Sequence, residues 1–403
     1  PGGIFAALIL AEAGLKPIVL ERGLDAETRQ KKVREFWETG KLDPSCNVQF
    51  GEGGAGTFSD GKLTTGIKSP CMGWILEQFH EAGARENILF DAKPHIGTDV
   101  LVTVVQNLRK KIESLGGEVR FGCRVTGLEQ TMAHLTGLVY EQAGETVHLD
   151  CDRAILAIGH SARDTFAMLL ESGVPMEPKA FSMGVRIEHR QSWLDRRQYG
   201  DAAGHPSLPP ADYKLAAHLP DGNSAYTFCM CPGGQVVASS SETGGVVTNG
   251  MSNADRDGEN CNAAVLVTLH PEDFPFSGVL GGMEWQRQLE QRCYKAGGSN
   301  YHAPAQLVGD FLNHKASTKA ASVRPTYAPG VTFTDLHDCL PEKITDVLER
   351  ALPELDKKLP GFADGDAVMT APETRSSSPV RILRDETQQS ALRGLFPCGE
   401  GAG

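Results

Sequence analysis

Gly2-Gly3 open the stretch GGIFAALILAEAG, in which Ile4, Ala7, Leu8 and Ala11 recur at helical spacing. Pro17-Ile18-Val19-Leu20 then reads as a buried strand that ends on Glu21. Free amides at a helix N-terminus, aided by the helix dipole, hold pyrophosphate. Glycine is needed where helix, phosphate and sheet approach one another, because a Cβ would collide. An acid at the end of the next strand is placed to accept hydrogen bonds from an adenosine ribose. The order matches the second half of a dinucleotide-binding βαβ unit, with Gly2, Gly3 and Glu21 as its ligand residues. The alternative is a glycine-rich helix start with Glu21 solvated.

Gly51-Glu52-Gly53-Gly54-Ala55-Gly56 also spells GxGxxG, but a turn-rich stretch to Lys62 follows it in place of an apolar helix. Gly53, Gly54, Ala55 and Gly56 therefore suit a loop lying close against a flat ligand, or a plain surface loop. Gly159-His160-Ser161-Ala162-Arg163 nearly matches the nucleophile elbow G-x-S-x-G, in a strand–turn–helix setting. Arg163 stands at the fifth position and no partner acid or histidine is identifiable by spacing. Ser161 as a helix N-cap, with Asp164 three residues on, is the simpler reading, and Gly159 then allows close approach to a nucleotide. A serine hydrolase acting through Ser161 stays as an alternative. Cys229-Met230-Cys231 falls in an expected strand with both sulfurs on one face. Since i,i+2 thiols close a disulfide only under strain, they read as buried structural thiols and not as a redox pair. His302, His314 and His337-Asp338-Cys339 lack zinc-like spacing, and no metal is expected. Asp60, Lys62, His160 and Arg375 read as solvated or capping groups near the ligand loops.

These residues need a frame. Helices are expected over 26–37 and 70–83, and from a Thr98 cap along the stripe Leu101, Val104, Val105, Leu108, Ile112, Leu115, ended by Gly116-Gly117. Residues 46–68 read as a glycine-rich loop. From Glu118 to Ile158 short strands alternate, with turns near Gly137 and Gly144. They read as one strand entering a parallel sheet, an antiparallel meander, and a buried strand Arg153–Ile158 returning. Beyond residue 175 the strands look antiparallel (Met183–Glu188, Ser224–Cys231, Gln235–Ser239, Ala263–Leu269), with helices near 279–296 and 342–358. The expected fold class is α/β: a Rossmann-like domain with a parallel sheet and an antiparallel meander, plus an inserted mixed α+β domain. The boundaries are 1–174, then 175–370 as the insert, then 371–403 returning to the first domain. The chain opens on Pro1, ends on Gly401-Ala402-Gly403 and reads as cut at both ends, with a first strand and a final helix outside it.

At 403 residues, 40% apolar and 22% charged, the chain has the balance of a multidomain globular protein. A net charge of -12 repels phosphate backbones, so no nucleic acid partner is expected. No run approaches the roughly 20 apolar residues of a membrane-spanning helix. Ten scattered cysteines read as reduced thiols and point to the cytoplasm.

Taken in order, PGGIFAALILAEAG, VLERG, FGEGGAGTFSDGKLTT, AIGHSARDTF, GVRIEH, YTFCMCPGGQVV, ETGGVVTNGMS, ETRSSSPVRI and GLFPCGEGAG resemble glutathione-reductase-like flavoproteins, and more closely the bacterial FAD-dependent (NAD(FAD)-utilizing) dehydrogenases. The resemblance implies FAD as cofactor. Gly2 and Gly3 would line the pyrophosphate, Glu21 would bind the ribose with Arg22 beside it, and Val125 would meet the adenine through its backbone. Ala157-Ile158-Gly159 would turn near the adenosine, the 51–62 loop would run along the central flavin, and Gly399-Glu400-Gly401 would close over ribityl and pyrophosphate. It implies an oxidoreductase passing a hydride between a small-molecule substrate and flavin, with a non-catalytic FAD-binding protein as the rival. Without a second fingerprint, NAD(P)H or another electron donor or acceptor would bind only transiently.

Overall fold

The computed structural model describes residues 1–66 and 68–402; Ile67, within the expected 46–68 loop, and Gly403, within the expected return segment, lie outside the described residues. The first helix, Gly2–Glu12, buries Ala7, Leu8 and Ala11 against Leu101, Val104, Leu108 and Ile112 of the helix Thr98–Ser114. The amide of Gly117 bonds to the Ile112 carbonyl and ends that second helix. Two expectations fail here. Thr98 lies inside the helix and donates to the Thr57 carbonyl (2.7 Å), so Gly97 is the cap; Leu115 stands past the end, 41% exposed.

Ile18–Leu20 pairs in parallel with Glu118–Arg120, and Ala154–Leu156 in parallel with Leu395–Pro397. The strands Arg124–Thr131, His134–Gln142 and Glu145–Asp150 form the expected antiparallel meander. Gly144 lies at its second turn, but Gly137 is inside a strand, where a Cβ would lie 2.5 Å from Glu129. The first turn instead uses Met132 and Ala133, both at positive φ. The two short parallel strands read as buried are not: Ile18 is 42% and Ile155 44% exposed. Each belongs to a two-stranded ladder, too narrow to be covered on both faces.

The larger sheet has seven strands, in the order Val331–Phe333, Ala303–Leu307, Val368–Glu373, Phe181–Arg190, Asn260–Leu269, Ser224–Cys231, Ala216–His218. Its first pair is parallel and the rest antiparallel. The central strand Phe181–Arg190 alternates sharply. Phe181, Met183, Val185 and Ile187 join the apolar core with the helices Gly281–Ala296 and Glu342–Lys358. Ser182, Arg186 and Glu188 point the other way, yet are equally buried. That second face is polar inside the protein, which is uncommon unless its groups are paired. Among the described residues no helix is long and apolar enough to cross a membrane.

His189 is buried, with Nε2 2.8 Å from the Phe362 carbonyl and its ring stacked on Trp193. Burial pushes its imidazole down from 6.5 to about 4. A depressed histidine opposes folding once protonated, so its contribution is intact above pH 6.5 and fades as pH falls toward 4. At about 1.4 kcal/mol per pH unit the full loss approaches about 3 kcal/mol. Denaturant titrations at about pH 7 and about pH 5 should show a shallower acid decline for His189→Gln than for the parent. Parallel declines would refute this assignment.

Candidate functional site

The helix Gly2–Glu12 starts without a side-chain cap, so its first amides have no side-chain acceptor. Three turns gather around that start. A Cβ on Gly3 would touch Ala157 at 3.4 Å, and one on Gly2 would meet the Cys398 sulfur at 3.8 Å. Gly54 and Gly56 face Pro1 at 3.8 and 3.7 Å. A Cβ on Gly401 would approach the Gly159 carbonyl at 3.1 Å, and His160 Nε2 lies 3.2 Å from Glu400. Gly159 and Gly399 have φ of +65° and +68°, with open space where a side chain would project. The structure thus brings Gly2, Gly3, Gly54, Gly56, Gly159, Glu400 and Gly401 to one place. Two surface clefts, about 310 Å³ beside Arg163 and Arg287 and about 450 Å³ beside Trp193 and Arg197, lie elsewhere.

Glu21 borders the same region. Its Oε1 accepts from the amides of Gly23 (2.8 Å) and Gly51 (2.9 Å), while Oε2 has no partner among the described residues. The segment carrying Val125 runs alongside: the Gly122 and Cys123 amides bond to the carbonyls of Gly23 and Glu21. Arg22 is turned into the protein, paired with Asp164 (2.7 Å) and stacked on Phe50. Gly53 does not face the gathered turns, because its Cβ direction runs into Thr57 and Val105. Ala55 begins a short 3-10 helix, Ala55–Phe58.

The glycine-rich loop owes its shape to a residue that sequence reasoning missed. Arg29, fully buried, donates Nε to Asn47 O (2.8 Å), Nη2 to Val48 O (2.8 Å), and Nη1 to Glu52 O (2.7 Å), Gly54 O (3.0 Å) and Gly51 O (3.3 Å). A Cβ on Gly51 would lie 2.3 Å from Arg29 Cδ, so that glycine makes room for an arginine. Glu52, also buried, accepts from the Ala26 amide and from Arg109 Nε, each at 2.7 Å.

The 159–164 turn corrects the capping-box reading. Ala162 is the N-cap and makes no side-chain cap bond. Ser161 donates to Gln49 Oε1 (2.9 Å), and Asp164 holds Arg22 and the Thr165 amide. Ser161 Oγ also lies 3.3 Å from His160 Nδ1. Burial lowers the His160 pKa, against a smaller opposing pull from Glu400, so the ring is neutral and already shared between Ser161 and Glu400. With its proton committed to Gln49, Ser161 is poorly set as a nucleophile.

Of the groups read as solvated or capping, Asp60, His160 and Arg375 are buried. Asp60 is paired with Arg256 and Lys62. Arg375 joins Arg163 on Glu290, whose carboxylate takes Arg163 Nη2 (2.8 Å) and Nη1 (2.9 Å), Arg375 Nη2 (2.9 Å) and Nε (3.1 Å), and Thr374 Oγ1 (2.7 Å). Arg163 lies on the helix following the 159–162 turn and Glu290 on a helix covering the large sheet, so this network ties the gathered turns to that sheet. In GVRIEH the polar Arg186 and Glu188 alternate with Val185 and Ile187, a pattern that by itself reads as a strand with one solvated face, so burial of this polar face was not legible in the sequence.

Comparison with known proteins agrees with the cofactor expected from the sequence. Residues 180–376, which span the large sheet, match the family described as FAD-dependent protein, C-terminal domain-like. Similar solved structures include the flavin-dependent brominase Bmp2 (12% identity, 100% of this chain and 70% of that one, TM-score 0.40) and CtdE in complex with FAD (11%, 99% and 76%, 0.31). Thermovibrio ammonificans THI4 is similar at 16% identity over 44% of this chain and 60% of its own length, with a TM-score of 0.30. Likenesses this distant carry no argument about activity. Much nearer is an uncharacterized protein of Clostridium beijerinckii (strain ATCC 51743 / NCIMB 8052), 47% identical over 405 residues, 100% of this chain and 75% of that relative. FAD is the cofactor for which the matched domain is named, and the chain belongs to the same family as the Clostridium beijerinckii protein.

Proposed function

We propose that this protein is an FAD-dependent oxidoreductase of the bacterial NAD(FAD)-utilizing dehydrogenase type, within the glutathione-reductase-like flavoproteins. One observation carries the reading: an uncapped helix start met by three glycine turns from distant parts of the chain. The residues fit a dinucleotide. Gly2 and Gly3 would present amides to pyrophosphate, Gly159 and Gly399 leave room that any side chain would fill, and the free Oε2 of Glu21 would accept a ribose hydroxyl. Gly54, Gly56 and Gly401 would lie along the same ligand, and Val125 would meet its adenine end. When bound, FAD supplies the two-electron chemistry of hydride exchange with a small-molecule substrate. The chain's own work is to position, to exclude water and to hold charge near the ligand.

In this reading residues 1–174 and 371–403 form a Rossmann-like FAD-binding domain, and 175–370 an inserted substrate domain. The parallel pairing of Ala154–Leu156 with Leu395–Pro397, across the intervening large sheet, supports that division. A nicotinamide or other electron partner would visit transiently, and a reducing cytoplasmic setting suits ten free thiols. The rival of a non-catalytic flavin carrier differs in one respect: its flavin would not cycle with any donor.

Purified protein should take up FAD, show flavin absorbance and bleach with a reductant; a colourless, FAD-indifferent preparation would overturn the proposal. Glu21→Gln keeps an acceptor for the Gly23 and Gly51 amides but removes the charge offered to the ribose. Its FAD dissociation constant, read by flavin fluorescence, should rise about tenfold. An unchanged constant would remove Glu21 from the site.

A further inference from the structure

Three side chains from separate elements converge beside the helix Glu342–Lys358. Glu349 lies within that helix, His337 on the short 3-10 turn Leu336–Asp338, and His314 two residues past the helix Val308–Leu312. One donor atom of each lies within 4.8 Å of the other two. His337 Nε2 is 2.6 Å from Glu349 Oε1, and His314 Nε2 is 3.6 Å from the same oxygen. The other His337 nitrogen, Nδ1, lies 2.6 Å from Asp335 Oδ1. That oxygen is itself fixed, because it also takes the His337 amide (3.0 Å) and, at 3.4 Å, Gln306 Nε2. Phe311 stacks on the His337 ring, with centroids 4.5 Å apart, and holds its plane. Spacing along the chain gave no reason to expect a metal at these residues; the fold supplies the arrangement.

A protonated His337 bridging the two carboxylates would account for its own short contacts. It would not account for His314, whose Nε2 faces Glu349 from beyond hydrogen-bond distance and whose φ of +50° is uncommon for a residue with a side chain. Nor does either carboxylate pair with a lysine or arginine among the described residues; imidazoles are their ion-pair partners. We propose that His314, His337 and Glu349 bind a zinc ion, with water as the fourth ligand. Two imidazoles and a carboxylate suit zinc, whereas a hard cation such as Mg²⁺ prefers oxygen donors alone. Asp335 acts from the outer shell: by accepting the Nδ1 proton it leaves the Nε2 lone pair of His337 for the metal. Donors around a tetrahedral zinc stand about 3.3 Å apart, so the ion takes the place of the 2.6 Å contact with a modest widening. Near-parallel rings cannot both aim an in-plane lone pair at one ion, and those of His314 and His337 are stacked at 4.6 Å and 29°. His314, its side chain 65% exposed, therefore turns out of the stack on binding. The ion then fastens the segment after Leu312 and the 336–338 turn to the helix Glu342–Lys358. None of these residues belongs to the gathered glycine turns, so the inference does not rest on the flavin reading.

The probe is Zn²⁺ alone, titrated by calorimetry into the EDTA-treated full chain, with Mg²⁺ as control. A Cys71→Ser background removes the exposed thiol as a competing ligand. A single zinc should bind and raise the unfolding midpoint, while Mg²⁺ does neither. Asp335→Asn should weaken zinc about tenfold, and His314→Gln and Glu349→Gln by more. X-ray absorption at the zinc edge should show nitrogen and oxygen neighbours at about 2.0–2.1 Å and no sulfur at about 2.3 Å. Zinc uptake unchanged in both His314→Gln and Glu349→Gln, with circular dichroism also unchanged, would overturn the proposal. Sulfur neighbours, or Mg²⁺ bound as tightly as zinc, would overturn it equally.

Discussion

Replacing Glu290 with alanine should destabilise the protein by about 3–5 kcal/mol, the usual result of stripping one member from a buried ion cluster. Glu290 is 1% exposed and accepts five hydrogen bonds, four of them from the guanidinium groups of Arg163 and Arg375, themselves 2% and 3% exposed. Burial alone would raise this carboxyl; Arg163 and Arg375 overcome it and hold Glu290 far below the usual carboxylate range. Without the acid, two buried cations keep only partial compensation: Arg163 from Glu242 and Gln286, Arg375 from Ser241. Glu290→Gln preserves volume but not charge, and should lose nearly as much. Equilibrium denaturation gives the values, and a loss below about 1 kcal/mol for both variants would show that the cluster is dispensable. Because the cluster joins the helix Arg163–Glu171 to the large sheet, amide exchange should quicken in the 159–171 region before the sheet itself opens.

The second large effect is expected at Arg29. Its side chain donates to five carbonyls between Asn47 and Gly54, and its guanidinium lies 4.8 Å from the Phe58 ring centroid. Burial pushes its pKa down to about 10, still well above neutrality, so the group stays charged. Arg29→Met leaves those carbonyls in an apolar pocket and should cost about 3 kcal/mol or more. Arg29→Lys should rescue little, because an ammonium cannot reproduce the planar fork that reaches carbonyls on both sides. Hydrogen exchange should rise over 47–54 in either variant. Protection retained there would mean that the loop holds its own shape. Under the proposed function the same variants should also lose FAD, because Gly51 and Gly54 lie in the loop that Arg29 organises and Gly51 supplies an amide to Glu21.

Local periodicity was legible where an element lies on one face and ends on a clear signal. The helix Glu342–Lys358 and the strand Ser224–Cys231 fall at their expected limits, because apolar spacing and flanking turns are properties of a few consecutive residues. The same logic misplaced the Thr98 cap and the Gly137 turn, where a contact distant in sequence overrode local preference: Thr98 to Thr57, and Gly137 to the strand opposite. The recurrence of glycine turns and a strand-end acid was visible because residue type and spacing are local. That Arg22 and Gly53 turn away from the gathered turns could not be read from type or spacing.

By itself the sequence determined that this is an α/β chain rich in glycine turns, since composition, period and turn chemistry are local. Only the tertiary structure decided which turns meet, that Arg29 shapes the loop from inside, that Arg163, Glu290 and Arg375 share one buried cluster, and that His314, His337 and Glu349 come together. Those arrangements depend on residues up to nearly four hundred positions apart, as Gly2 and Cys398 are. In an isolated segment each such charge would be solvated, and it acquires its partner, and its altered proton affinity, only when folding removes the water between them.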